Sequence, residues 1–328
     1  MTVEYALIHE RESASARRCW NTSSTPTDWI DLVTESSELQ QALERGQTSE
    51  QDQDRVQNQA IRDRLDQLVG GNLDEWVESL ERILGSDVCR RIGVYKLPVD
   101  FILSVIIPVY NEAATITNVI ARVCDTELAC EIIVVDDGSS DGTREVLQSL
   151  AADGGDNLRV FFHDKNQGKG AALVTGFKHA TGDVVAVQDA DMEYDPQDLR
   201  FLLQPIVEDY ADVVYGSRFS GADRQVSPLW HLAANQLITK LFSFRNGRKF
   251  TDVETCYKVF RRELIQDLAP QLREKRFGIE LEITARLLKN RETRFYERPI
   301  GYVRRTYAEG KKIGWRDGIW ALWCILRY

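Results

Sequence analysis

Asp189 and Asp191 stand two positions apart immediately after the apolar run Val184–Val187, and Glu193 follows at the same spacing. If that run is a strand, alternate side chains leave it on one face, so two or three carboxylates converge. Like charges held that close repel, and a cation relieves them. Hard oxygen ligands suit Mg2+ or Mn2+, ions that usually also hold substrate phosphates. The chemistry on offer is metal-assisted handling of a phosphorylated substrate; the plain alternative is an acidic surface turn.

Three other segments have a similar form, an apolar run followed by polar residues. Ile102–Val109 leads into Tyr110, Asn111 and Glu112, where an aromatic ring could stack on a base and a carboxylate accept from base or ribose. Glu131–Asp136 leads into Asp137-Gly138-Ser139-Ser140-Asp141, in which Gly138 suits a tight turn and Asp141 a helix N-cap. Leu158–His163 leads into Asn166-Gln167-Gly168-Lys169-Gly170, small residues and a lysine suited to a nucleotide or phosphate. Asp195-Pro196 has the look of an N-cap followed by proline at the first helical position.

Such sites need a frame, and the pattern from Phe101 onward provides one. Predicted strands at Ile102–Val109, Glu131–Asp136, Leu158–His163, Asp183–Gln188 and Asp212–Tyr215 alternate with predicted helices at Ala113–Cys124, Asp141–Leu150, Lys169–Ala180 and Pro196–Glu208. This alternation predicts a doubly wound, mostly parallel α/β sheet. Ligands then bind outside the carboxyl ends of the strands, where the motifs fall. Helices near Trp230–Phe244 and Ile279–Lys289, a strand near Arg294–Arg298 and the Trp- and Arg-rich Gly314–Tyr328 complete the chain. The missing GxGxxG at the first strand excludes a dehydrogenase-type dinucleotide site.

The net charge of −10 is uneven: residues 1–100 carry 19 acidic against 11 basic side chains, and the remainder 32 against 30. A nearly neutral catalytic part argues against a nucleic-acid surface. Residues 1–96 form an acidic extension, with helices expected at about 54–69 and from Asn72, ending near residue 87. The six cysteines lack CxxC spacing and are expected as free thiols. Met1–Trp20 lacks signal-peptide character and no apolar stretch reaches bilayer-spanning length, so a cytoplasmic location is expected. The sequence sets no oligomeric state.

Seven blocks in order, SVIIPVYNEAATI, EIIVVDDGSSDGT, NQGKGAALVTGF, TGDVVAVQDADMEYDP, VVYGSRF, DVETCYKVFRREL and EGKKIGWRDG, resemble the family-2 glycosyltransferases, in the branch of the dolichyl-phosphate mannosyl- and glucosyltransferases. The resemblance runs from about Leu103 to Tyr328. It implies an A-type glycosyltransferase sheet with a nucleotide-sugar-binding catalytic domain at 97–305 and a basic, Trp-rich closing segment at 306–328. The implied activity is inverting transfer of a hexose from a UDP- or GDP-sugar, assisted by Mg2+ or Mn2+, to a polyprenyl phosphate or another acceptor.

The resemblance implies roles for individual residues. Pro108, Tyr110, Glu112 and Asp137 would line the base and ribose site, with Lys169 nearby. Asp189 and Asp191 would be the DxD motif and ligate the metal, with Asp191 the main ligand and Glu193 close by. Arg218 would contact the phosphates. Arg304 or Arg305 and Lys311 or Lys312 would form a mobile basic segment against the leaving diphosphate and an anionic acceptor. A hydroxyl acceptor needs a general base, for which Asp252 is the candidate, with Glu280 or Glu282 behind it; the structural alternative for Asp252 is a partnership with Arg261 or Arg262. A catalytically silent nucleotide-sugar-binding protein is the rival from another class. Cys256-Tyr257-Lys258 departs from the Gly-aromatic-Arg common in lipid-phosphate members. In Gly314–Tyr328 two readings compete: Trp315, Ile319 and Trp323 pack on the sheet, or the segment makes peripheral contact with the inner face of a membrane.

Overall fold

The computed structural model describes residues 73–91, 93–128, 130–153, 157–220, 229–303, 305 and 315–328. The expected helix at 54–69 and the residues Arg304, Lys311 and Lys312 lie outside them. The described residues fall into two compact units, one whose chain ends at Lys96 and one that runs from Leu97 to Tyr328. In the first, helices α1 (Leu73–Leu84) and α2 (Ser86–Arg91) are joined through Gly85 at φ +83, and Lys96 pairs with Glu78 at 2.5 Å.

The second unit is built on one seven-stranded sheet. Its strands are β1 (Leu103–Val109), β2 (Cys130–Asp136), β3 (Leu158–Phe162), β4 (Val184–Val187), β5 (Val213–Ser217), β6 (Lys258–Arg261) and β7 (Phe295–Pro299), ordered β3-β2-β1-β4-β6-β5-β7. Helices α3 (Ile116–Cys124), α4 (Thr143–Asp153), α5 (Lys169–His179) and α6 (Asp198–Val207) follow the first, second, third and fourth strands. Parallel neighbours need crossovers of this kind. β1, β2 and β4 are largely apolar and buried over most of their length, the pattern of a parallel sheet, while β3 at the sheet edge is only partly buried. This is the expected doubly wound frame.

One strand was absent from the sequence reading. β6 runs antiparallel to both β4 and β5, whereas β5 and β7 run parallel. Reversal of β6 brings its beginning, not its end, to the edge where the other strands finish. The segment Asp252–Tyr257 therefore joins the carboxyl-terminal edge. Helices α7 (Leu229–Asn246), α8 (Arg262–Leu268), α9 (Ile279–Leu287) and α10 (Trp315–Arg327) complete the unit. Among the described residues no helix is long and apolar enough to cross a membrane. Cys89, Cys130, Cys256 and Cys324 are free thiols as expected; Cys124, at the end of α3, is instead disulfide-bonded.

The core is dense enough to read from a missing atom. Gly176 lets α5 lie directly on β1: a Cβ there would overlap Cγ2 of Ile106, a methyl on a β-branched side chain with no room to turn. Gly318 in α10 has nothing within 4 Å of its would-be Cβ. We expect Gly176→Ala to lower stability by about 2 kcal/mol through overpacking, and Gly318→Ala to be neutral or to raise it by roughly 0.5 kcal/mol by restricting the unfolded chain. Thermal or denaturant unfolding of the two variants checks the contrast; equal behaviour would contradict the packing described.

Candidate active site

Three strand ends make one wall. After β1, Asn111 takes a left-handed φ of +52, which asparagine tolerates, and its main-chain N–H donates to Ser139 Oγ at 2.8 Å. Its side-chain oxygen accepts from Ser140 N at 2.9 Å, fastening the β1 end to the β2 loop. Glu112 is buried and accepts from Arg305 Nη1 at 2.9 Å and from Thr115 Oγ1 at 2.9 Å. Tyr110 is exposed at the rim, and Pro108 sits within β1 opposite Val135.

Asp137 is buried and accepts from Gln167 N at 2.9 Å and Gly168 N at 2.6 Å, besides lying 2.7 Å from His163 Nδ1. The Asp137 carboxylate is thereby committed to shaping the loop before α5. Gly168 makes that loop possible: its φ is +97, and any Cβ would strike Lys275 O. Asp141 accepts from both the main-chain N and the hydroxyl of Thr143 at the start of α4; with Gly142 at φ +99 between them it lies one position before the expected N-cap place and steadies the turn into the helix.

The β4 end holds the carboxylates, and the structure divides their work. Asp189 Oδ1 lies 2.7 Å from Lys169 Nζ, which also reaches Glu280 Oε1 at 3.1 Å and Cys256 Sγ at 2.9 Å. Burial works against a charged Lys169, but Asp189, then Cys256 and Glu280, outweigh it and keep its pKa well above normal. Glu193 accepts from Tyr302 Oη at 2.7 Å and from the main-chain N–H of Arg305 at 2.8 Å. Among the described residues, Asp191 receives only the main-chain N–H of Glu193, at 3.1 Å. Burial, then the charges of Asp189 and Glu193, push its pKa up to about 7. Among the described residues, no three His, Cys, Asp or Glu side chains form a metal-holding group. The expected trio Asp189, Asp191 and Glu193 is thus not a cage: Lys169 engages the first, and Tyr302 and Arg305 engage the third. Of the three, only Asp191 has no ion pair or hydrogen bond to another side chain among the described residues, which fits a cation that takes its remaining ligands from phosphates and water.

The β5 and β6 ends bring the second cluster. Arg218 Nε and Nη2 donate to Asp252 Oδ2 and Oδ1 at 2.7 and 2.8 Å, and Arg218 N donates to Oδ2 at 3.1 Å. Asp252 is fully buried, so this is a bidentate pair out of water, and removing either partner would strand a charge. Two readings are corrected here. The partner of Asp252 is Arg218, not Arg261 or Arg262: Arg261 reaches Asp209 and Asp212, and Arg262 donates to Thr181 O. With both its oxygens held by a guanidinium, Asp252 is also poorly placed to take a proton. Glu282 likewise accepts from Arg286 Nε and from the main-chain N of Arg273 and Glu274.

Glu254, which the sequence reading did not single out, has no hydrogen-bond or ion-pair partner among the described residues. Burial, opposed by Arg218 and reinforced by Asp252 and Glu280, raises its pKa to about 7. The buried Lys258 ammonium donates to the carbonyls of Val253 (3.1 Å) and Thr255, on either side of Glu254. That is the work done by the last residue of the departing Cys256-Tyr257-Lys258 triplet: it holds the loop that presents Glu254. Tyr302 was also missed, since its role depends on a return of the chain to Glu193 from more than a hundred residues away. It forms an antiparallel bridge with Tyr194, and its ring lies 5.3 Å from the Arg218 guanidinium carbon.

One edge therefore collects an aromatic rim, an under-compensated carboxylate, two guanidinium groups and a titratable glutamate. Comparison with known proteins agrees with this layout. The relatives include glycosyltransferase AglJ of Haloferax volcanii, 32% identical over 212 residues, or 62% of this chain and 66% of the relative. Another is the undecaprenyl-phosphate 4-deoxy-4-formamido-L-arabinose transferase of Aeromonas hydrophila, 32% identical over 215 residues, or 64% of this chain and 62% of the relative. The chain thus spans just under two thirds of either length. Among solved structures, glucosyl-3-phosphoglycerate synthase from Mycobacterium tuberculosis with uridine diphosphate aligns with a TM-score of 0.54 at 19% identity, covering 70% of this chain and 80% of that one. Mannosyl-3-phosphoglycerate synthase from Rubrobacter xylanophilus aligns with a TM-score of 0.51 at 20% identity, covering 70% and 72%. The fold is accordingly that of the A-type glycosyltransferases. The family model described as glycosyl transferase family 2 matches residues 104–269, just over half of the chain and the stretch that carries β1 through β6 with their site residues, so the chain belongs to glycosyl transferase family 2.

Proposed function

We propose that the chain transfers a hexose-type sugar from a UDP- or GDP-sugar to a polyprenyl phosphate, with inversion, and that it depends on Mg2+ or Mn2+. The observation that carries this reading is Asp191, a half-buried carboxylate with no ion pair of its own among the described residues. Bound there, a divalent ion would neutralise diphosphate oxygens as charge builds on the leaving group. The synthase of the same fold was crystallised with Mn2+ and UDP (TM-score 0.50, 21% identity), and the A. hydrophila relative is named for transfer to undecaprenyl phosphate; both support the assignment.

In this reading, Tyr110, Glu112 and Pro108 border the base, Asp137 sets the loop that carries Lys169, and Lys169 orients Asp189. Arg218, anchored by Asp252, turns its remaining nitrogen Nη1 to the phosphates. Arg305 closes over the site from Glu112, joined by Arg304, Lys311 and Lys312 of the closing segment. The acceptor phosphate oxygen attacks the anomeric carbon in line as the bond to the diphosphate breaks, and being ionised it needs no base. The catalytic unit is 97–305 with 306–328 as its closure, residues 1–96 are an appendage, and the acceptor is met at the inner face of a membrane.

Asp191→Asn should abolish transfer, by a factor of about 100 or more, with little change in melting temperature, and EDTA should do the same to the wild type. Turnover near wild type in either case would remove the metal from the mechanism.

A second reading has its own observation. Glu254 has no partner among the described residues, and its pKa is raised to about 7 from the ordinary 4.5, which suits a general base for a hydroxyl acceptor. Since the raised group gives up its proton only as pH climbs through that value, transfer to a hydroxyl should rise with pH up to about 7 and then level. Glu254→Gln should erase that limb; a limb that survives the change rules Glu254 out as the base.

Asp252→Asn should instead cost about 3 kcal/mol of stability, because it breaks a buried pair, and lower transfer at every pH. A fully stable Asp252→Asn that lost only the pH-dependent limb would return the base to Asp252.

A further inference from the structure

The outer surface of α7 is the reverse of what water selects. Taking 100° per residue, its exposed side chains from Ala234 to Arg245 fall in one arc in the order Lys240, Phe244, Leu237, Leu241, Ala234, Arg245. The centre is apolar and heavily exposed, Phe244 by 89%, Leu237 by 54% and Leu241 by 41%, and each border carries a cation. The opposite arc holds the buried Ile238, Thr239 and Phe242 that seat the helix on the core. From Arg224 to Thr251 the sequence contains no Asp or Glu, while Lys240, Arg245, Arg248 and Lys249 are exposed.

Helix α10 packs against α7 and repeats the arrangement. Ala321, Cys324 and Ile325 face the core, whereas Ile319 is 58% and Leu326 78% exposed, with Leu322 and Trp323 exposed between them. Of the residues expected to pack on the sheet, Ile319 and Trp323 therefore face outward. Arg327 lies 4.6 Å over the Trp323 ring, again a cation beside an apolar stripe. α10 is also fastened to the chain before α9: half-exposed Trp320 donates its Nε1 to Glu274 Oε2 at 2.8 Å, and the segment after Glu274 leads into Glu280, the partner of Lys169.

We propose that the exposed face of α7 and α10 docks on an anionic lipid bilayer, with Phe244, Leu237, Leu241 and Leu326 entering the interface and Lys240, Arg245, Arg248 and Lys249 meeting headgroups. A second copy of the chain fits less well, since the cations bordering α7 would meet their own counterparts across a two-fold axis. The chain as a whole carries a net charge of −10, so attraction to an anionic surface must come from a local patch such as this one. The assignment deepens the lipid-acceptor reading but stands on a surface that reading does not use.

The test is co-sedimentation of the full chain with phosphatidylcholine vesicles, with and without about one-third phosphatidylglycerol. Binding should require the anionic lipid and weaken as salt rises. The Leu241→Ser/Phe244→Ser double variant should lower partitioning about tenfold or more by removing inserted side chains. Lys240→Glu/Arg245→Glu should lower it to a similar extent through charge, and all variants should keep donor hydrolysis and circular dichroism. A wild-type chain that stays in the supernatant, or variants that pellet as it does, would overturn the proposal. So would sedimentation velocity showing a dimer that Phe244→Ser dissociates. Transfer to polyprenyl phosphate in detergent is measured alongside: vesicle binding without such transfer upholds the docking face and defeats only the acceptor reading, and transfer without vesicle binding does the opposite.

Discussion

The Lys169 ammonium is the contact on which the site depends. It reaches Asp189 at the end of β4, Glu280 in the first turn of α9 and Cys256 just before β6, three pieces of chain with no local reason to meet. Its side chain is only 12% exposed, and at that depth a lone ammonium would shed its proton or refuse burial. Two carboxylates make the charge tolerable, and the charge makes the two carboxylates tolerable to each other. Asp189 is thereby neutralised while Asp191 is not, so the two aspartates of one motif become chemically different groups.

The loop that carries Lys169 is built with the same economy. Asp137 receives two main-chain N–H groups of that loop, and Gly168 supplies a backbone conformation that other residues resist. Lys169 thus enters the site at the N-terminus of α5, where α5 is pressed onto β1 through Gly176. On the far side, Tyr302 and Arg305 cross back over the carboxylates, engage Glu193, and place a guanidinium on Glu112. Burial opposes the charge of Arg305, but Glu112, with Asp191 and Glu193 beyond it, raises its pKa above normal. The closing strand of chain is held by the negative charge it covers.

Reversal of β6 decides the rest. A parallel strand at that place would have delivered its end to the edge and left the segment before it on the opposite side. The antiparallel ladder instead brings Asp252, Glu254 and Cys256 to the edge in one sweep. Asp252 fixes Arg218, Lys258 fixes the loop, and Glu254 is left as the group that can titrate. Two carboxylates separated by a single residue therefore differ as Asp189 and Asp191 do, and for the same reason: among the described residues one is ion-paired and the other is not.

The alternation of apolar runs with amphipathic stretches carried the parallel half of the sheet, because each run from β1 to β4 is nearly uniform in hydrophobicity and ends in a polar cluster. The motif positions Tyr110, Glu112, Asp137, Lys169, Asp189, Asp191 and Arg218 were legible for the same reason: they lie at strand ends or helix starts, where sequence distance and spatial role coincide. β6 was not legible, since Lys258–Arg261 is four residues long and carries charges at both ends, and strand direction leaves no trace in composition. Partnerships were not legible either. Asp252 could have met Arg261 or Arg262 by proximity in sequence, yet sheet order put Arg218 beside it. The outward turn of Ile319, Trp323 and Phe244 also depended on packing: an apolar stripe on a helix has the same periodicity whether it faces a core or a solvent, and only the tertiary contacts of Ile238, Phe242, Cys324 and Ile325 fixed which stripe was inside.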